Sequence, residues 1–299
     1  RFETATREQE IALRARDGAE ARLVARLAPL PTVIPATPAP GAEETPLALV
    51  ITERGSLDNL RVRPAARRKP QPHEIEVRVE AAALNFKDVL NTLGMYPGDP
   101  GQPGSECAGT VIAVGEDVTG FNVGDKVVAL APGCMRTHLT VAASLAALRP
   151  ESMPAAGLIT LPIAYITAAF ALDHVGRMRA GESVLIHAAA GGVGQAAVQL
   201  ALQAGLVVYA TAGSEAKRDF VRALGVTHVY SSRTLDFADA IMQATNGRGV
   251  DLVLNSLAGD FSARSLDVLA QDGRFLELGK RDLLTSAEVQ AYASSHGRR

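Results

Sequence analysis

The sequence predicts an α/β protein in which an irregular β-rich domain precedes a doubly wound parallel sheet. After about residue 155, short apolar runs alternate with helical segments, which is typical of a parallel sheet covered by helices. Before that point, strand-like segments are separated by glycine-containing turns. A glycine-rich turn near residue 190 joins a buried strand to a helix. The chain has 299 residues, enough for two domains of ordinary size.

The first 45 residues are predicted to lie outside both domains. Residues 1–30 mix charged and apolar side chains, and residues 31–45 are predicted to form a linker. Four prolines between Pro31 and Ala42 fix φ and remove amide donors, so the linker is expected to be extended. Because the chain starts with an arginine and not with an initiator Met, we expect it to be part of a longer protein.

Residues 46–155 are predicted to form the β-rich domain. Polar and apolar side chains alternate over residues 74–81, as they do in a half-buried strand. Residues 110–115 and 125–130 are predicted to be further strands between glycine-containing turns.

Residues 156–282 are predicted to form the parallel sheet and its helices. Helices are expected at about residues 194–204 and 214–224, and Gly205 ends the first of them as a C-terminal glycine does. The strands are expected at residues 183–187, 206–211, 229–230, 250–255 and 273–278.

Composition and charge argue against several classes of function. Hydrophobic residues make up 47% and charged residues 21%, and the formal net charge is −2, so neither nucleic acid nor an anionic membrane is indicated as a partner. We expect no membrane-spanning helix, which needs roughly 20 apolar residues, and no secretory signal. Cys107 and Cys134 are too few for a disulfide framework or a four-cysteine zinc site, and a cytoplasmic location is expected.

The glycine-rich turn carries a variant of the dinucleotide-binding fingerprint. Ala189, Gly191 and Gly194 hold its three positions, together with Gly192 and Val193. Missing side chains let backbone amides approach a pyrophosphate at the positive end of the following helix. A simple strand-to-helix turn can carry the same glycines. The strand before it, the helix after it and the second strand beyond favour dinucleotide binding.

The end of the second strand favours NADPH over NADH. An NAD site places a carboxylate there for the ribose hydroxyl, whereas this strand end holds none and closes on Ser214. Lys217, Arg218 and Arg233 follow as cations for a 2′-phosphate. The helical cations would equally suit a solvated helix face, and Glu215 is a counter-argument that we place on the outer side of the helix. The missing carboxylate decides for NADPH.

Several separated motifs occur in the order found in one known family. Together they resemble the enoyl reductase domains of modular polyketide synthases and of animal-type fatty acid synthases, which belong to the medium-chain dehydrogenase/reductase superfamily. The resemblance covers about residues 47–285 and implies a Rossmann sheet and a GroES-like substrate domain. The motifs are residues 83–90, 94–97, 104–109, the glycine-rich turn, and residues 231–233, 253–257 and 275–280.

The resemblance also implies roles for residues outside the glycine-rich turn. It assigns cofactor contacts to Asn255, Ser256 and Gly279 and a substrate contact to Asn85. Residues 283–299 would begin the return of the chain to the substrate domain. Residues 1–30 are similar to the end of the ketoreductase structural subdomain that precedes such reductases. The expected partners are therefore an enoyl substrate on an acyl carrier protein and neighbouring synthase domains.

Zinc is not expected. Zinc-dependent members of the superfamily use a Cys near the position of Asn85 and a His in a Gly-His-Glu motif, where this chain has Ser105. Neither side chain is a ligand that zinc prefers. The resemblance therefore implies the metal-free reductase branch.

The implied reaction is hydride transfer from NADPH to the β-carbon of an enoyl thioester, followed by protonation of the α-carbon. Tyr96 is the first candidate for the proton donor. It follows Asn85 by eleven residues, as the donor Tyr follows a matching Asn in the related mitochondrial-type reductases. Lys280 is the second candidate, because it ends a strand where ligands meet open α/β sheets. A packing Tyr and a surface Lys are the alternatives. In the family, a Tyr at this position accompanies a 2S methyl product.

Two other functions share parts of this pattern. A free-standing, zinc-independent quinone oxidoreductase would have the same glycine-rich turn. A non-catalytic NADPH-binding structural protein, as in the lens crystallins of this superfamily, would need neither Tyr96 nor Lys280. Residues 1–30 and the motif ending at Lys280 favour the enoyl reductase. Chain length and α-substituent of the substrate are left open, as is the oligomeric state.

Overall fold

The structure, a computed structural model, describes residues 11–16, 19–24, 45–280 and 283–295. The chain divides into two compact units, residues 1–44 and 45–299. In the first, β1 (Ile11–Arg16) pairs with β2 (Ala19–Val24) in an antiparallel hairpin. The predicted linker falls on residues 31–44, which lie outside the described residues, and on Thr45.

The β-rich part of the second unit is built on a five-stranded antiparallel sheet. Its strand order is β8-β5-β6-β7-β9, and β3 and β4 form a separate hairpin. Apolar side chains from the sheet, among them Ile75, Val77 and Val111, form its buried core. The elements are β3 (Leu47–Ile51), β4 (Leu60–Pro64), β5 (Glu74–Ala82), α1 (Phe86–Thr92), β6 (Glu106–Val114), β7 (Lys126–Leu130), β8 (His138–Ala142) and β9 (Ala146–Leu148).

The second part is a five-stranded parallel sheet with helices on both faces. The strand order β12-β11-β10-β13-β14 confirms the predicted doubly wound sheet. From β10 the chain adds strands first on one side and then, from β13, on the other, while all strands stay parallel. One buried cluster packs α4 against the sheet, and another packs α6 against the opposite face. The elements are β10 (Ser183–Ile186), α4 (Gly192–Gln203), β11 (Val207–Ala212), α5 (Glu215–Ala223), β12 (His228–Ser231), α6 (Phe237–Ala244), β13 (Val250–Asn255), α7 (Asp260–Asp267), β14 (Leu269–Glu277) and α8 (Ser286–Ser295).

Element boundaries differ from the expected ones where glycine or small residues occur. Helix α4 starts at Gly192, two residues before the predicted start, because the glycines of the turn already take part in the helix. Strand β6 starts at Glu106 and not at Thr110, since the small residues between them pair with β5 and β7. The predicted domain boundaries at residues 155 and 282 stay predictions.

Two helices, α2 (Ala155–Leu158) and α3 (Pro162–Ala169), connect the two parts and continue into a π-helical turn, Phe170–Val175. This segment corrects one expectation. Ala155–Val175 has a mean hydropathy of 1.9 and is long and apolar enough to cross a membrane, by length and composition only. Within this segment Pro162 occupies the first position of α3, where its fixed φ and missing N–H suit a helix start. One such helix is weak evidence for a membrane, because core helices of soluble proteins pass the same test.

Candidate active site

A cleft of about 560 Å³ opens where the glycine-rich turn faces the β-rich part. One side is lined by residues 81–86, which run from the end of β5 to the start of α1, and by Glu106 at the start of β6. On the other side lie Gly192 and Val193 at the start of α4. Residues from α2 and α3 complete the wall. The cleft therefore sits beyond the carboxyl end of β10, where open α/β sheets bind ligands.

The glycine-rich turn has the shape that a dinucleotide requires. A Cβ on Gly194 would lie 2.3 Å from the carbonyl oxygen of Ala188, so only glycine allows this close packing of helix on strand. A Cβ on Gly192 would meet nothing within 4 Å and would project into open space. Gly191 caps α4 with an extended backbone, and the helix N-terminus lies next to the cleft. These residues fit a pyrophosphate at the positive helix end.

Asn85 is held at the cleft wall by a network of hydrogen bonds. It is the N-cap of α1, and Oδ2 of Asp88 accepts from the Asn85 backbone N–H at 2.9 Å. The other Asp88 oxygen accepts from the backbone N–H of Gly104 at 2.8 Å. The Asn85 amide nitrogen donates to Oε1 of Glu106 at 3.0 Å. Helix α1, the Gly104 loop and β6 therefore position one side chain together.

Glu106 was missed in the sequence analysis. Its side chain is buried, lines the cleft and accepts a second hydrogen bond from the backbone N–H of Ile163 at 2.9 Å. The available signal was a single charged residue at the start of an otherwise small, buried stretch that ends at Gly109. A charged residue in a buried stretch is almost never fully buried unless it has a bonding partner, so Glu106 was a candidate for a specific contact.

The end of β11 places a guanidinium beside the predicted phosphate position. The Arg233 guanidinium lies within about 3 Å of where a Cβ on Gly213 would be, and its Nε donates to the Gly213 carbonyl at 3.4 Å. Ser214 caps α5 through its side chain. Glu215 is exposed, as predicted, and forms ion pairs with Arg218 and Arg222. Arg218 also donates from Nη1 to the Ala212 carbonyl at 3.3 Å, so its guanidinium lies between Glu215 and the end of β11.

The two candidate proton donors do not line this cleft. Tyr96 follows α1 and is half-buried, with the Lys87 ammonium 5.8 Å from the centroid of its ring. Lys280 is exposed and lines another cavity, together with residues of α8. Their catalytic roles stay predictions.

The three cofactor contacts implied beyond the glycine-rich turn lie at or beyond the ends of β13 and β14. Asn255 is buried, and its amide nitrogen donates to the Leu257 carbonyl at 2.8 Å and to Oε2 of Glu277 at 2.7 Å. That amide joins the two strands. Ser256 beside it is exposed, and the Gly279 backbone N–H donates to Oε1 of Glu277. Their contact with a cofactor stays a prediction.

The side chains at and near the expected ligand positions, Asn85 and Ser105, do not form a zinc site. Asn85 uses its amide as a donor, and both oxygens of Glu106 accept N–H bonds. Ser105 offers only a hydroxyl, and the two cysteines lie in the buried core of the β-rich part. Among the described residues, no three His, Cys, Asp or Glu side chains come together as ligands. Catalysis without a metal stays a prediction, and no step is assigned to zinc.

Comparison with known proteins gives the family. Residues 71–157 match the alcohol dehydrogenase GroES-like domain, and residues 192–294 match the zinc-binding dehydrogenase family. The chain is 45% identical over 295 residues to a phenolphthiocerol/phthiocerol polyketide synthase of Mycobacterium tuberculosis. That match covers 94% of this chain and 13% of the synthase polypeptide.

Solved structures agree with the sequence matches. The CurK enoyl reductase superposes with a TM-score of 0.80 at 42% identity, covering 83% of this chain and 78% of that one. Escherichia coli quinone oxidoreductase complexed with NADPH has a TM-score of 0.75 at 28% identity, with coverage of 83% and 78%. The chain is an oxidoreductase and belongs to the enoyl reductases of polyketide synthases, within the medium-chain dehydrogenase/reductase superfamily.

Proposed function

We propose that this chain reduces the α,β double bond of an enoyl thioester with NADPH, while an acyl carrier protein carries the thioester. The observation that carries the proposal is the cleft. There the glycine-rich turn faces the polar pair Asn85 and Glu106 in a chain that belongs to the enoyl reductases. Because this chain spans only a small part of its synthase relative, neighbouring ketoreductase and carrier domains are the proposed partners, in the cytoplasm.

The residues of the chain have separate roles in this proposal. When bound, NADPH would supply the hydride for the β-carbon, which leaves an enolate that needs a proton at the α-carbon. The N-terminus of α4 would hold the pyrophosphate, and Arg233 would hold the 2′-phosphate. Asn85 contacts the substrate. Tyr96 donates the proton, with Lys280 as the alternative donor.

The proposal is tested with an enoyl pantetheine thioester and the purified chain. We expect the double bond to be reduced with NADPH and much more slowly with NADH. A small quinone, offered in parallel, is expected to be a poor acceptor. Quinone reduction without thioester reduction would assign the chain to the quinone oxidoreductases, and NADPH binding without any turnover would leave a structural protein.

Metal independence is tested on the same reaction. Because the polar side chains of the cleft are an amide, a hydroxyl and one fully hydrogen-bonded carboxylate, we expect full activity after treatment with a chelator. The measurement is the rate of NADPH oxidation before and after removal of divalent metals. Activity that disappears with the chelator and returns with zinc would contradict the expectation.

A further inference from the structure

Glu106 is a buried carboxylate that interacts with neutral donors only. Its residue is 2% exposed, and its two oxygens accept from the Asn85 amide nitrogen at 3.0 Å and from the Ile163 backbone N–H at 2.9 Å. No Lys, Arg or His among the described residues forms an ion pair with it. Burying a charge without a counter-charge is costly, and proteins tolerate such costs mainly at functional sites.

The two hydrogen bonds of Glu106 determine how the Asn85 amide is oriented. A carboxylate only accepts hydrogen bonds, so the amide nitrogen of Asn85 must face it and the amide oxygen must face elsewhere. The carboxylate itself cannot rotate freely, because its other oxygen is bound to the backbone of Ile163. That N–H belongs to the first turn of α3, whose N-cap, Leu161, offers no side-chain acceptor.

We propose that Glu106 is a positioning residue. It fixes which end of the Asn85 amide faces the cleft, so that a molecule bound there meets one defined arrangement of donor and acceptor. The proposal rests on the proposed function to the extent that Asn85 contacts the bound substrate or cofactor. It assigns to Glu106 no proton transfer, since both of its oxygens already accept N–H bonds.

Three variants separate this role from simple capping of α3. In Glu106→Gln, the new amide must offer its oxygen to the Ile163 N–H, because that backbone group can only donate. Its NH₂ then faces Asn85 and forces the Asn85 amide to turn over. Asn85→Asp places two carboxylates against each other. The double variant Asn85→Asp with Glu106→Gln restores a donor–acceptor pair and keeps the total charge.

We expect each single variant to lower kcat/KM for thioester reduction by about tenfold or more, and the double variant to recover to within about threefold of the parent. The melting temperature of Glu106→Gln should stay near that of the parent, because the α3 N–H keeps an acceptor. The matched control is Glu76→Gln. Glu76 is a carboxylate on β5 that is 4% exposed and bound to Arg67, and its loss should lower stability without changing kcat/KM.

The outcomes also distinguish this proposal from the proposed function. A parent that binds NADPH but does not reduce the thioester refutes the proposed function. The four proteins are then compared by NADPH titration, in which the same pattern of loss and recovery is expected. If Glu106→Gln behaves as the parent in both assays, or if the two single effects simply add in the double variant, the positioning role is overturned.

Discussion

Arg233 is expected to contribute most to the proposed preference for NADPH. Its guanidinium stands over Gly213 at the end of β11, whereas Arg218 is paired with Glu215. Replacing Arg233 with Ala removes a charge-assisted hydrogen bond worth about 1.5–3 kcal/mol, so the Michaelis constant for NADPH should rise about tenfold or more. The constant for NADH should not change.

Two further variants control that experiment. Lys217→Ala should give a smaller effect, because its exposed ammonium is solvated. Arg222→Ala removes a cation from the same helix that is already paired with Glu215 and Asp219, and it should bind NADPH as the parent does. If the Arg233 and Lys217 variants both behave as the parent, the phosphate site lies elsewhere.

Tyr96 is predicted to decide the face from which the α-carbon is protonated. With an α-methyl substrate, the parent should give the 2S product, and Tyr96→Val should lower or invert this selectivity while hydride transfer continues. The rate should fall by less than the ~10²-fold expected for a lost acid, because Lys280 or water can replace it. Chiral analysis of the product makes the measurement.

A matched variant shows whether the phenol oxygen or the ring of Tyr96 matters. Tyr96→Phe keeps the ring beneath the Lys87 ammonium and removes only the hydroxyl. It should therefore lose selectivity as the Val variant does. A 2S product formed at the parent rate by both variants would make Tyr96 a packing residue.

At the scale of elements, the strand–turn–helix unit β10–α4 contains two glycines in different surroundings. Gly194 has no room for a side chain, whereas Gly192 faces open space. Gly194→Ala brings a Cβ to 2.3 Å from a backbone oxygen, so we expect a loss of stability of roughly 1–3 kcal/mol or more. Gly192→Ala has free space around the new methyl group. It should fold normally and bind NADPH poorly, because the methyl group would take up space in the cleft where the pyrophosphate is proposed to bind.

Thermal unfolding measures the stability of the Gly192→Ala and Gly194→Ala variants, and titration with NADPH measures their affinity for the cofactor. The element-scale prediction is contradicted if Gly192→Ala binds NADPH like the parent, or if Gly194→Ala is as stable as the parent. Either result would show that the turn rearranges more easily than its close contact with Ala188 indicates.

At the scale of the whole molecule, His187 joins two strands of the parallel sheet to a helix that covers it. It follows β10, and its Nδ1 lies 2.8 Å from Oγ1 of Thr211 on β11, while its Nε2 lies 2.8 Å from Oγ of Ser265 on α7. Because Ser265 donates its hydroxyl to the Phe261 carbonyl, it accepts from Nε2, so Nε2 carries a proton. Burial lowers the pKa of the His187 imidazole to about 4.

Global stability should therefore depend on this histidine in mildly acidic solution. Above pH 6.5 the ring is neutral in the folded and the unfolded chain. Below pH 6.5 the unfolded chain binds a proton that the folded one refuses, so stability falls until the pH reaches about 4. At pH 5 the loss should be about 2 kcal/mol. A hydrogen bond from Arg68 lowers the pKa of Glu74 to about 2, and one from Lys126 lowers the pKa of Glu80 to about 2. The stability that these two carboxylates contribute is therefore present above pH 4.5 and is lost only below it.

Urea unfolding of the parent and of His187→Asn at pH 5 and pH 7.5 isolates the contribution of His187. The variant should be less stable than the parent at pH 7.5, since the shorter side chain cannot reach both hydroxyl partners, but it should lose about 2 kcal/mol less on acidification. An equal loss in both proteins would show that other groups control the acid sensitivity.

The sequence was sufficient to predict those elements that are determined by residues close together along the chain. Alternating patterns predicted β5, continuous apolar runs predicted the buried strands, and the glycine spacing predicted the turn at Gly194, because these signals arise from neighbours along the chain. The helix start expected at residue 214 is local in the same way, because Ser214 is the N-cap of α5. The expectation that no apolar stretch is long enough to span a membrane was wrong for Ala155–Val175.

What the sequence alone determined is the fold class, the dinucleotide-binding turn and, through matching motifs, the enoyl reductase family. What only the tertiary structure decided is which residues share the cleft. Glu106 lies 21 residues from Asn85 and 57 from Ile163 along the chain, so no pattern along the sequence could reveal that it binds both. Packing of β6 against α1 and α3 brings them together, and a contact between distant segments is fixed only when the whole chain folds.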